Sequence, residues 1–547
     1  MSLFGLLDIG KSALLASQTA LSVTSHNIAN VNTPGFSRQE VILNIANPVT
    51  VRGGLMGMGV MVSGIKRNYD NFIQGQLLLQ QQNHGRTSAQ SQVLSQVEQI
   101  FNEVKDLGLQ VSLQDFFNAW NAVASNPEEY APRTILLKKA DALVLSAQQM
   151  ERGILETLKH TNENISDITE RINSISSEIA RLNDCIVQIE AGGSAEKAID
   201  LRDQRDNLLN ELSNLVEFSS YEDEKGSVTV MVGMRNLVNG KTTNKLSTTV
   251  SIDGNLDLQL DGIDITSRIN KGQIGGLIAS REAAESSLTG LRKLVAAITN
   301  EVNILHKQGF GLDGATNLPF FNELSVYDQN LTDSAAGITS KTIIDPSALT
   351  YDEYEIRFID DAGTLKYNIY NTNDNSLITP APITYSSGNN IDFEGLRVVI
   401  SDGATGPQDG DKFFISPIRD AISNMDVAIT DTDQIAAAAT TAGVPGDNSN
   451  ALALTNLAQS QLTELGGTFE SYYRGLVSEI GTISRAASDS LKFDENLLYE
   501  IENRRESISG VSLDEEAANL IKFQRSFEAG ARMIKVTDEL LQTILNL

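Results

Sequence analysis

A chain of 547 residues is too long for one hydrophobic core, so several domains are expected. The formal net charge of −28 excludes a surface built for nucleic acid or anionic membrane, because such a surface needs a basic excess. There is no apolar run long enough to cross a bilayer, and the first twenty residues lack the pattern of a secretory signal, which alone would point to the cytoplasm.

The first predicted element is an amphipathic helix within 1–32. Leu7, Leu14, Leu21 and Ile28 fall seven apart, with Leu3, Gly10, Ser17 and Thr24 at the alternate heptad position, a narrow stripe suited to a coiled coil. Pro34 disfavours helix at Thr33, and the Pro34–Gly35 pair suits a type II turn over Thr33 to Phe36. Residues 41–65, rich in Val, Ile and Gly, predict short strands or an extended arm. Helical pattern then runs from about Asp70 to Glu103 and over 133–216, where Ile165, Ile168, Ile172, Ile175, Ile179, Leu182, Ile186 and Ile189 mark a long bundle helix that Gly192 and Gly193 interrupt. Cys185 lies among these helical residues, is expected to be inert, and can form no intramolecular disulfide because it is the single cysteine.

Strand signals follow. Val228, Val230 and Val232 alternate, as do Leu256, Leu258 and Leu260 before a turn at Asp261 and Gly262. After a helix at about 276–308, the clearest β segment is 351–418, where Ile356 and Phe358, Tyr367 and Ile369, Val398 and Ile400, and Phe413 and Ile415 each sit two apart. Helix is expected again from about 420 to the end, apart from a loop around Gly443 to Gly446. The last stretch repeats the 3,4 spacing through Leu520, Phe523, Phe527, Gly530, Ile534, Thr537, Leu541 and Ile544.

The expected fold class is therefore multidomain, mainly α with a β insert: a terminal α-helical coiled coil, a long-helix bundle built from both chain halves, and a β-rich outer domain. A family resemblance described below implies that helix 1–32 pairs with 512–547 as the inner coiled coil. Residues 33–320 and 419–511 form the bundle, with a β-rich part near 217–270, and 325–418 form the β domain. Charge is uneven in the same way: residues 1–66 hold four basic and two acidic side chains, whereas 325–418 hold five basic and fourteen acidic, a surplus that reads as a solvated face.

The two terminal stripes read as an assembly interface, because rods of about 42 and 50 Å are too narrow-faced to close a core between them. Each buried apolar anchor contributes about 1.5–3 kcal/mol and each ordered residue costs about 1–2 kcal/mol in backbone entropy. On that comparison both ends are expected to order only against other copies, with Gly10, Ser17, Thr24, Gly530 and Thr537 leaving the seam poorly filled. The alternative is a stable helical hairpin capping the domain.

Chemical signatures are weak. Gly5 to Ser12 satisfies the phosphate-loop pattern, but only four residues precede it, Leu7 continues the heptad, and Asp8 would sit within the anion nest. His26, His84, His160 and His306 are scattered without ligand spacing. Asp253, Asn255 and Asp257 open like a calcium loop, yet Leu258 stands where glycine is needed, so a β-turn is preferred. Glycines 53, 54, 57 and 59 lack a following lysine and suit a flexible arm. No catalytic residue, cofactor or metal is expected, and a nucleotide-binding enzyme remains only as a remote reading.

The run SHNIANVNTPGFSR from Ser25 to Arg38 resembles the N-terminal signature of bacterial flagellar axial proteins, the rod, hook and hook-associated family. Its signature turn here is Asn30, Asn32, Thr33, Pro34, Gly35 and Phe36. The stretches GMGVMVSGIKRNYDNFI (57–73), AIDLRDQRDNLLNELSNLV (198–216), NILHKQGFGLDG (303–314) and the C-terminal run from Gly510 to Leu545 are similar to the hook–filament junction members of that family, although a rod or hook subunit stays open. Phe523 and Phe527 stand where the family often has tyrosine. The resemblance implies a non-enzymatic subunit exported unfolded, without a cleaved signal, through the flagellar type III apparatus to the cell exterior. It implies self-assembly into an axial ring or tube, contact with hook protein and with the next hook-associated junction protein, and a cytosolic export chaperone on the C-terminal helix. Leu7, Leu14, Leu21, Ile28, Leu520, Phe523, Phe527, Ile534, Leu541 and Ile544 would carry assembly, and the turn would set the angle between inner helix and outer domain.

Overall fold

The computed structural model describes residues 3–51, 54–102, 108–191, 198–251, 254–332 and 334–546. Its helices are α1 (Leu3–Ala29), α2 (Asn71–Phe101), α3 (Leu109–Ser125), α4 (Tyr130–Glu190), α5 (Ile199–Leu215), α6 (Gly272–Gln308), α7 (Ser449–Leu457), α8 (Phe469–Ser509) and α9 (Leu513–Leu545). Gly192, Gly193, Gly53 and Asp253, singled out in the sequence, lie outside the described residues. The chain divides into two compact units, one of residues 1–91, 162–279 and 487–547, the other of residues 92–161 and 280–486.

The first unit is organised on the isoleucine stripe of α4. Ile165, Ile172, Ile175, Ile179, Leu182 and Ile186 are buried, as are Val228, Val230, Val232, Leu246, Leu258 and Leu260 of the neighbouring strands. Ile168 is half-buried and Ile189 exposed. Polar side chains on the same helix fix the strands. Asn183 donates to the carbonyls of Val228 and Gly240 and accepts from the Val228 amide, and Asn173 does the same with both backbone groups of Leu246. The strands form a four-stranded sheet (219–222, 228–232, 235–239, 242–243) and a three-stranded sheet with 256–260 at its centre. Strand Gln39–Ile45 pairs antiparallel with Val60–Arg67, the arm expected from the sequence, with a register shift between Ile42 and Leu43.

The second unit contains a helix that sequence reading did not mark. In α3, Leu109, Leu113, Phe116, Phe117, Trp120, Val123 and Ala124 are buried at helical spacing. Phe116, Trp120, Phe320 and Phe321 meet edge to face or tilted, with ring centroids 4.9 Å apart for Phe320–Phe321 and 5.3 Å for Trp120–Phe320. The β segment forms a five-stranded antiparallel sheet, in the order 327–330, 412–416, 354–361, 364–371, 383–384, and a three-stranded sheet in the order 337–343, 396–401, 390–393. Ile356, Phe358, Ile369, Val398, Ile400, Phe413 and Ile415 are buried.

Residues 420–448 are not the helix that their alanine content suggests. They run as turns, short 3-10 segments and extended chain. The reason is that tertiary partners take their backbone groups. Arg133 donates to the carbonyls of Thr432 and Ile435, Ala436 donates to His306 Nε2, and Ala438 exchanges both bonds with Phe310. Helix propensity yields where packed side chains offer stronger alternatives. Gly5 to Ser12 lie inside α1, so their amides serve a helix and form no phosphate cradle.

Candidate assembly site

Helices α1 and α9 run antiparallel. Asn27 near the end of α1 lies beside Glu516 at the start of α9, and Gly10 lies beside Gly530. The single chain thus pairs its own ends, as in the hairpin alternative. Gly10 and Gly530 are in close contact across the seam rather than gaps in it: a Cβ at Gly10 would lie 3.0 Å from Ile534 Cγ1, and one at Gly530 3.4 Å from the Gly10 carbonyl oxygen. Small residues at the seam let two backbones approach, and the buried face of α1 is Gly5, which lies against Met56, with Gly10, Ala16, Ser17, Ala20, Val23, Thr24 and Asn27. Leu7, Leu14, Leu21 and Ile28 flank them half-buried. On α9, Gly530 and Thr537 are buried, Leu520, Phe523, Phe527, Ile534 and Leu541 are half-buried, and Ile544 is exposed.

That seam leaves a second apolar set on α9 uncovered. Leu513, Ile521, Met533, Val536, Leu540 and Ile544 are each at least two-fifths exposed. The last four recur at 3,4,4 spacing, so they share a face of the helix.

The signature turn is fixed by docking on α5. Asn30 donates from Nδ2 to the His26 carbonyl at 3.0 Å and accepts from the Thr33 hydroxyl and, through its carbonyl, from the Thr33 amide. The Phe36 amide donates to the Thr33 carbonyl at 3.2 Å, and Gly35 has φ of 73°, the type II turn expected. Asn32, Thr33 and Pro34 are exposed, while the Phe36 ring packs edge-on to His26 with centroids 5.4 Å apart. Asn207 donates to the Pro34 carbonyl at 3.1 Å, Asp203 accepts from the Ser37 amide at 3.0 Å, and Asp200 accepts from Gln39 Nε2 at 2.7 Å. Arg67 closes the row on Asp203 and Asp206 at 2.6 and 2.7 Å. Burial pushes the Asp206 carboxyl above the ordinary range, and Arg67 beside it works the other way.

The turn and α9 are joined through Arg38 and Glu516. Arg38 donates from Nε to Glu516 Oε1 at 2.8 Å and from Nη1 to Glu515 Oε2 at 2.6 Å. Glu516, 2% exposed, also accepts from Asn27 Nδ2 at 3.2 Å, and Asn27 exchanges two further bonds with the Gln39 backbone. Burial disfavours the Arg38 charge, but Glu516 and Glu515 outweigh it and hold its pKa above the ordinary arginine value. Sequence reading placed the turn correctly and missed this network. A signal was present in the carboxylates and amides at 200, 203, 206, 207 and 210, three or four apart on one helix, which make a polar face on an otherwise ordinary bundle helix.

Gly35→Ala tests the docking. The left-handed φ is strained for alanine and its Cβ would fall 1.6 Å from Asn207 Oδ1, displacing the amide that holds Pro34. The expected loss is about 2 kcal/mol, read as a roughly thirtyfold rise in hydrogen exchange at the Ser37 and Gln39 amides. Unchanged exchange would mean that α5 does not fix the turn.

Comparison with known proteins places these features. The family described as flagellar hook-associated protein FlgK helical domain matches residues 94–321. Those described as flagella basal body rod protein and flagellar basal body rod FlgEFG protein C-terminal match residues 7–36 and 504–547. Over 99% of both chains the sequence is 31% identical to flagellar hook-associated protein 1 of Salmonella typhimurium, and it is 30% identical to that of Escherichia coli K12 over the same shares. The protein of that name in Bacillus subtilis is 27% identical over 99% of this chain and 97% of its own. The fold is similar to the flagellar hook junction protein FlgK of Burkholderia pseudomallei, with a TM-score of 0.68 over 79% of this chain and 100% of that one, at 18% identity.

Proposed function

Because the chain belongs to the flagellar hook-associated protein 1 family, a family of structural flagellar proteins, we propose that it polymerises at the distal end of the hook and joins hook to filament through its paired terminal helices. The observation that carries this reading is the terminal pair itself. Helices α1 and α9 satisfy one another along the small-residue seam, yet α9 keeps Met533, Val536, Leu540 and Ile544 exposed. Exposed apolar stripes of that kind call for a partner. In an axial ring or tube the partners are neighbouring copies, packed as a coiled coil around the axis, with hook protein on one side and the next junction protein on the other.

The same stripe would need cover before assembly, which is the physical case for a cytosolic export chaperone on α9 and for export of an unfolded chain to the cell exterior. Among the described residues no helix is long and apolar enough to cross a membrane. The docked Asn30–Phe36 turn would then set the angle at which the rest of the first unit leaves the terminal pair.

Ile534→Asp tests the assembly reading. Ile534 packs its Cγ1 against Gly10 at the α1–α9 seam. The expected result is hooks without filaments in cells carrying the variant, while the unfolding transition followed through Trp120 in the second unit stays unchanged. Normal filament growth would remove the terminal pair from the role proposed for it, and filaments lost together with the Trp120 transition would mean that the substitution acts by unfolding the chain rather than by blocking assembly.

A further inference from the structure

We propose that the exposed apolar stripe of α9 is covered by the arm of a second copy of this chain, the ribbon of strands Gln39–Ile45 and Val60–Arg67. Each copy would give its arm to one neighbour and receive the arm of the other on its own α9. The proposal rests on the assembly reading above and names the contact that would build the ring or tube.

Three observations select this occupant. First, the arm is itself uncovered. Ile45 is 82% exposed, and Leu43, Val49, Leu55 and Met61 are each at least two-fifths exposed. Among the described residues the ribbon has two strands and no third on either edge. A two-stranded ribbon with that much apolar surface in water calls for a packing partner.

Second, the arm and α9 lie on different sides of α1. Helix α9 meets α1 at Gly10 and Leu14, where Gly530 and Ile534 approach, and the arm side meets it at Gly5, Ile9 and Ser12, where Met56 and Gly59 approach. With 3.6 residues per turn, those two sets lie roughly 150° apart around α1. Both uncovered surfaces also lie toward the same end of the terminal pair, because α9 runs antiparallel and its stripe Met533, Val536, Leu540 and Ile544 begins just past the contact of Gly530 with Gly10. Two unlike faces on different sides of one body make a heterologous contact, which repeats from copy to copy into a ring or helix. A face that paired with itself would stop at a dimer.

Third, charge lets copies meet at these two surfaces and opposes it elsewhere. Residues 1–66 hold four basic and two acidic side chains, and 512–547 hold four basic and six acidic. The two ends together are neutral, so the whole surplus of −28 lies between them. Copies therefore repel one another over the middle of the chain, whereas an arm side of net +2 and an α9 of net −2 attract weakly.

The test is photo-crosslinking in the assembled structure. Cells carry the full chain with Ile45→p-benzoylphenylalanine, hooks with their filaments are isolated and irradiated, and the products are mapped by mass spectrometry. The expected result is a ladder of covalent dimers, trimers and larger multiples of this chain, with the attachment point on α9 between positions 533 and 544. If that variant grows no filaments, the same group at Met61 or Leu55 takes its place with the same expectation. Attachment to a second copy's arm would overturn the proposal by making the contact self-paired. Attachment to hook protein, to the next junction protein or to a part of this chain outside α9 would overturn it by giving the arm another occupant. Filaments that yield no covalent product would overturn it while leaving the assembly reading in place. Intact filaments in a strain without the gene would instead remove the assembly reading, and the proposal with it.

Discussion

Replacing Arg38 by alanine should release α9 from the rest of the first unit. Glu516 would keep its buried carboxylate with only the Asn27 amide to answer it, and removing one partner of a buried ion pair costs about 3–5 kcal/mol. Trypsin cleavage at Lys522 and Arg525, both on α9, follows the population of the opened state when closing is fast. The rate should rise by roughly two to three and a half powers of ten. The doubly substituted Arg38→Met, Glu516→Leu chain should recover most of this loss, because no charge is then left buried alone. Cleavage unchanged in Arg38→Ala would mean that the seam around Gly10 and Gly530 holds α9 unaided. A double variant as labile as the single one would mean that the arginine acts through packing rather than charge.

Acid should destabilise the second unit through His306. This side chain is fully buried, with Nδ1 2.7 Å from the Leu318 carbonyl and Nε2 accepting from the Ala436 amide at 3.0 Å, so Nδ1 carries the proton of a neutral ring. Burial, together with the nearby Arg133 charge, lowers its pKa from 6.5 to about 4, although the Leu318 carbonyl favours the protonated form. The unfolded chain therefore binds a proton in the interval between those values and the folded chain does not. Stability is full above about pH 6.5, falls as the pH drops, and has lost about 3 kcal/mol once the pH reaches about 4. The chain has one tryptophan, Trp120, whose ring lies 6.2 Å from the His306 ring, so its fluorescence reports this unit. Between pH 7 and pH 4.5 the natural chain should lose about 2–3 kcal/mol more than His306→Gln does. Equal losses in the two chains would show that His306 does not set the acid sensitivity of its unit.

The residues around these two sites show what kinds of pattern a sequence carries. The periodic elements were visible in it because repetition is a local property: the isoleucines of α4 and the alternating strands at 228–232 and 354–416 announce their faces by spacing, whereas the leucines seven apart on α1 mark the flank of its buried face. The Pro34–Gly35 turn was visible for the same reason, since two residues suffice to fix its type. The stretch 420–448 was misjudged because its fate depends on partners far along the chain, Arg133, His306 and Phe310, that take backbone groups a helix would have used. The spacing marks the small residues Gly10 and Gly530 as poorly filled positions, and only their mutual approach makes them a contact.

The family, the helical ends, the signature turn and the β insert are each written in spacing or in a short contiguous motif. That the ends meet along a small-residue seam rather than along the leucine stripe, that Asp200, Asp203 and Asn207 hold the turn, and that Arg38 and Glu516 lock α9 across 478 positions of chain follows only from how the chain packs. Ion pairs and hydrogen bonds at such separations leave no periodic trace, because their geometry is set by how helices cross and not by how residues follow one another.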